Sequence, residues 1–246
     1  MPAFGVLVVL TQIACAVHVF RTGRNYVWIY IVVFVPVVGI SAYFLVEILP
    51  GLMHSRTAHQ AASGVVRAID PGRDVREALR RVAITPTADN KARLAAEYLA
   101  AGQPEAAVPL YREVLTGIHE TDPAMMLGLA RALFAQGELA ETQAVLEKLR
   151  QANPNYSSPE GHLIYARSLE LQGHTEAALR EYGALIPYYP GQEARCRCAL
   201  LLEQSGRAGE ARRLFEEVCQ SIEYGPRHQR RVQREWYDIA KRQLAG

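Results

Sequence analysis

Cysteine is scarce in this chain, tryptophan is scarcer, and charge is almost missing from its first fifty residues. The four Cys stand at positions 15, 196, 198 and 219. They are too few and too unevenly placed for the disulfide framework of a small secreted domain, and they suit a reducing compartment. Cys196 and Cys198 have no His or second Cys pair at zinc-ligand spacing and read as small core residues. There is no Gly-rich phosphate loop, no metal-ligand cluster and no Ser or Cys with an identifiable base, so the sequence implies neither catalysis nor a cofactor. The seven His are scattered: His119, His162 and His174 fall in different segments, and each reads alone as a structural or solvated side chain.

The missing charge divides the chain. No charged side chain occurs from Pro2 to Phe20, and from Tyr26 to Leu49 the only one is Glu47. The second run extends for about 36 Å as a helix at 1.5 Å per residue, and the first is near the lower limit for a membrane span. Arg21 and Arg24 mark a turn between them, Tyr26, Trp28 and Tyr30 suit a headgroup region, and Gly39 and Ala42 offer a small surface for close helix approach. Nothing basic precedes the first run, and Gln12 stands where a lipobox has Leu, so an uncleaved anchor is expected rather than a signal peptide. Arg21-Thr22-Gly23-Arg24, Trp28, Pro36, Gly39 and Tyr43, in that order, resemble the N-terminal transmembrane region of phospholipase D and cardiolipin synthase proteins. That resemblance covers about fifty residues and implies contact with a phospholipid bilayer. None of the His is followed two places on by Lys, so the catalytic signature of that family is absent.

Beyond the apolar runs, four Gly-centred segments recur: Ala-Gly-Gln-Pro-Glu-Ala-Ala at Gly102, Gln-Gly-Glu-Leu-Ala-Glu-Thr at Gly137, Gln-Gly-His-Thr-Glu-Ala-Ala at Gly173 and Ser-Gly-Arg-Ala-Gly-Glu-Ala at Gly206. Their spacings, 35, 36 and 33 residues, predict pairs of antiparallel helices with Gly ending the first helix of each pair. Small and large residues alternate across both helices: Ala95, Ala107 and Tyr111 in the first unit, Ala130 and Leu146 in the second, Ala166, Ala178 and Tyr182 in the third, Ala199, Ala211 and Phe215 in the fourth. Thr142 replaces the expected Ala of the second unit. This register resembles the tetratricopeptide repeat.

The expected fold class is therefore all-α, a two-helix transmembrane hairpin followed by a tetratricopeptide-like α-solenoid. Residues 1–50 would form the hairpin, 51–87 a linker with a short helix starting near Asp74, 88–223 four repeats, and 224–246 a C-terminal capping helix. That last segment places Val232, Trp236, Ile239, Ala240 and Leu244 on one stripe. Glu235 and Asp238 dilute its basic side, which argues against a nucleic-acid partner. The combined architecture resembles bacterial membrane proteins, and the expected location is the cell inner membrane, with two spans and the repeat domain in the cytoplasm.

The first helices of such pairs line the concave face of the stack. Arg131 and Arg167 each directly follow the small Ala of their helix, one repeat apart, and Leu127, Phe134, Leu163 and Leu171 are expected around them. Two guanidinium groups one repeat apart suit an acidic peptide, a C-terminal carboxylate or a lipid phosphate, and the apolar surround suits a protein or peptide partner. The competing expectation is that each Arg makes an ion pair with a neighbouring helix, for example with Glu170 or Glu203, and helps fix inter-repeat geometry. The sequence thus points to a non-catalytic, membrane-anchored scaffold, or to an accessory subunit of a lipid-processing or envelope-assembly complex that works through its hairpin.

Overall fold

The computed structural model describes residues 11–13, 17, 20, 27–34, 39, 42, 70 and 72–245. The chain divides into two units, Met1–Pro71 and Gly72–Gly246. In the first unit, α1 is described over Val27–Phe34. Val32 is buried, and its carbonyl accepts a hydrogen bond from Gln12 Nε2 at 2.8 Å. Gly39 lies against the backbone of Ile31 and Val32, which leaves no room for a Cβ.

The inner-membrane location is corrected here. Among the described residues no helix is long and apolar enough to cross a membrane. The eight residues of α1 rise about 12 Å, against a hydrocarbon core of about 30 Å. Arg21, Arg24, Pro36 and Tyr43, and the linker as far as residue 69, lie outside the described residues.

In the second unit, α2 (Arg73–Ile84) packs on α3 (Ala88–Ala100), with Ala78 buried and Val75 and Val82 half-buried. Its cap position is Gly72, so Asp74 sits inside the first turn. Helices α3 and α4 (Pro104–Val114) form the first pair, followed by a 3-10 turn at Gly117–His119. Three more pairs follow: α5 (Pro123–Gln136) with α6 (Leu139–Ala152), α7 (Pro159–Leu171) with α8 (Thr175–Leu185), and α9 (Glu193–Gln204) with α10 (Ala208–Glu223).

Starts and stops are local chemistry. Thr87, Asp122 and Ser158 accept hydrogen bonds from the backbone N–H three residues on, which caps α3, α5 and α7. Pro123 and Pro159 supply a first helical residue that needs no N–H partner. At the other end, Gly102, Gly137, Gly173 and Gly206 adopt φ of 72, 83, 78 and 79°. The next residue's N–H reaches the carbonyl five back in each case, as Glu138 does to Leu133 at 2.9 Å, which closes a Schellman turn. The same turn thus redirects the chain in every unit.

Ala95, Ala130, Ala166 and Ala199 are completely buried at the crossings, and so are Ala107, Thr142 and Ala178 on the second helices. Thr142 is tolerated because its hydroxyl is spent inside the helix, donating to Glu138 O at 2.7 Å. Tyr182 and Phe215 fill the space beside their small partners, and burying a side chain the size of Phe215 is worth up to about 3 kcal/mol. Gly128 gives Tyr111 its room, since a Cβ there would stand 2.6 Å from the phenol oxygen.

The C-terminal segment is two helices, α11 (Arg227–Val232) and α12 (Arg234–Ala245), rather than one continuous stripe. Val232 is consequently exposed. Ala240 is fully buried, and Trp236, Ile239 and Leu244 pack on the core formed by α9 and α10. The Arg197 guanidinium sits 5.4 Å from the centre of the Trp236 ring, and Gln233 Oε1 accepts from Gln192 N at 3.0 Å.

Candidate peptide-binding groove

Helices α5, α7 and α9 are the first members of successive pairs, and together they wall a cavity of about 610 Å³. Arg131 and Phe134 enter it from α5, Leu163, Ile164 and Arg167 from α7, Glu193 from α9, and Tyr189 and Pro190 from the α8–α9 connection. Residues 160, 163, 164 and 167 share a helical face, which is why α7 contributes most of the wall.

Of the six residues expected at a groove, Arg131, Phe134, Leu163 and Arg167 line this cavity. Leu127 is a core residue, 7% exposed, packed with Met126, Leu146 and Ile164. Leu171 is 61% exposed and lies outside the cavity wall, because it closes α7 one turn beyond Arg167.

Each Arg makes an ion pair with a neighbouring helix, through Glu160 and Glu193 rather than Glu170 or Glu203. Arg131 forms an ion pair with Glu160, and Arg167 Nη1 lies 3.8 Å from Glu193 Oε1, which also accepts from Arg197 Nε at 2.8 Å. Glu170 instead accepts from the Tyr182 hydroxyl. Glu160 and Glu193 both stand in the first turn of the next inner helix, where the positive end of the helix dipole favours a carboxylate. Each Arg thus spans one repeat to the next. The Arg167 guanidinium also stacks 4.8 Å from the centre of the Phe134 ring, which fixes its plane.

These contacts leave donors unused. The Nε atoms of Arg131 and Arg167 are buried and have no hydrogen-bond partner among the described residues. The side chains of Arg131 and Arg167 are nevertheless 42% and 31% exposed, so a ligand oxygen would meet the guanidinium at its open end. Tyr189 brings a phenol to the same wall, its pKa pushed up by burial and then by Glu193 and Glu160. The arrangement therefore offers guanidinium donors, a phenol and apolar surface side by side. Sequence reasoning missed Glu160, Glu193 and Tyr189. The only signal for the two Glu was their place just inside a helix start.

Residues 98–167 match the family model described as tetratricopeptide repeat. The match lies in the repeats, so it lends no support to the phospholipase D resemblance of the first fifty residues. No curated protein matches the chain. Among solved structures, "Crystal structure of MamA" aligns with 19% identity and a TM-score of 0.54 over 61% of this chain and 86% of that one. A thermophilic TPR protein of Thermus thermophilus, TTC0263, aligns with 18% identity and a TM-score of 0.51 over 73% of this chain and 93% of that one. At these identities the likeness concerns the fold. The repeated Gly turns, the buried small residues, the match over residues 98–167 and the two structures agree on the fold: among the described residues, 72–245 form an all-α helical solenoid of tetratricopeptide-like pairs.

Proposed function

We propose that the protein is a non-catalytic scaffold that holds an extended peptide segment of a partner in the groove walled by α5, α7 and α9. The observation that carries this reading is the pair of partly exposed Arg one repeat apart, beside Phe134, Leu163 and Tyr189. Peptide carbonyls or a carboxylate would satisfy the guanidinium donors, and apolar side chains would cover the rings. The ion pairs with Glu160 and Glu193 hold the Arg in place before any ligand arrives, which lowers the ordering cost of binding.

The test is an array of extended peptides, with and without acidic side chains, probed with the full chain carrying a photo-crosslinker at Phe134. Acidic peptides should crosslink, and the double change Arg131→Glu, Arg167→Glu should reduce the yield at least tenfold. Equal capture of acidic and neutral peptides, or indifference to charge reversal, would assign the two Arg to holding successive repeats together and nothing more.

A further inference from the structure

The face of α7 opposite the groove borders a second cavity of about 340 Å³, walled by α6, the segment from Pro154 to Ser158, Glu181 of α8, and Tyr188. It lies at the lower end of the size range of small-ligand pockets. His162, expected to be solitary, is held here at both ring nitrogens. Its Nε2 is 2.7 Å from Glu181 Oε2, and its Nδ1 meets the Tyr188 hydroxyl. The Nε2 contact has the ring N–H donating to the carboxylate. On the same wall the Tyr165 hydroxyl donates to Glu147 Oε1 at 2.8 Å.

The charge of this wall has a definite sign. Glu147 and Glu181 face a single guanidinium, Arg150, which is itself exposed. Glu147 is held by the Tyr165 hydroxyl, a neutral donor that leaves its negative charge uncancelled. The field reaches the phenols. Burial, the Glu147 hydrogen bond and the charges of both carboxylates push Tyr165 up to about 12, and burial together with Glu181 raises Tyr188. Tyr156 and Tyr188 remain 39% and 46% exposed, which leaves aromatic surface uncovered beside this negative potential.

Rings with negative faces next to carboxylates are the chemistry that receives a cation, whereas an anion would have to approach Glu147 and Glu181. We infer that this cavity binds the cationic side chain of an arginine or lysine presented by a protein partner, between the tyrosine rings and against Glu147 and Glu181. The site is separate from the inner groove and takes the opposite charge, so it stands or falls independently of the peptide-groove reading.

The experiment titrates the full chain with N-acetyl-arginine amide, its uncharged isostere N-acetyl-citrulline amide, and N-acetyl-aspartate amide. NMR signals of the His162 imidazole and the Tyr188 ring report occupancy. The arginine compound should give a saturable shift, the citrulline compound should bind at least tenfold more weakly, and the aspartate compound should give none. Glu147→Gln combined with Glu181→Gln keeps both acceptors but removes both charges, and should weaken arginine binding at least tenfold. Arg150→Glu, at an exposed position that leaves the core untouched, should tighten it severalfold. No response to arginine, equal binding of citrulline, preference for aspartate, or affinity unchanged by Arg150→Glu would overturn the inference.

Discussion

At the scale of single residues, the fold rests on side chains chosen for what they lack. Ala178 is completely buried against the third pair's helix crossing, and Tyr182 fills the space one turn later. Ala178→Leu should cost about 1 to 3 kcal/mol through overpacking, visible as a lower thermal midpoint. These positions were legible in the sequence because packing at a crossing admits few alternatives. The ion-pair partners were not. Glu160 and Glu193 meet Arg131 and Arg167 through space across a repeat boundary, and spacing along the chain carries no record of that contact. The phenols supply a second expectation. Tyr182 is raised by burial, by its hydrogen bond to Glu170 and by that carboxylate's charge, so the folded state holds the phenolic proton more tightly than the unfolded chain, whose phenol titrates near 10.0. The stabilisation is complete below that pH and is lost as pH rises above it. Alkaline unfolding followed by circular dichroism should therefore be less steep in Tyr182→Phe than in the parent.

At the scale of elements, the first helix of each pair is stopped by a Gly turn that is legible in the sequence, and α5 and α7 also start at Asp-Pro and Ser-Pro. The break between α11 and α12, at Val232-Gln233-Arg234, carries no such punctuation. The apolar stripe of the C-terminal segment therefore reads as continuous, although the chain breaks at Gln233, whose side chain is used to hold the Gln192 backbone. What α12 contributes depends on Trp236, which lies under Arg197 and on the core of the last pair. Trp236→Ala should destabilise the last pair by about 2 kcal/mol, roughly half the usual cost for a fully buried ring, since Trp236 is only half-buried. Thermal melting of the full chain checks this, and an unchanged midpoint would mean that α12 rests on the last pair without supporting it.

At the scale of the whole molecule, a stack of pairs is stabilised by neighbours in sequence, so its parts need not open together. Periodicity made the stack legible because a spacing near 35 residues has few physical explanations. Hydropathy did not serve the first fifty residues equally well. An apolar run states what a segment avoids, not whether it forms a helix long enough to cross a bilayer, and none of that kind occurs among the described residues. The last pair has a property of another order. Its thiols, Cys196, Cys198 and Cys219, are all free and buried, and burial pushes the first two up to about 12 and about 11. Thiolate is the reactive form, so a closed last pair is inert toward alkylating reagents and an open one is not. Evolution has thereby left a clock in the final repeat: the rate at which those sulfurs react counts how often that end of the solenoid comes apart.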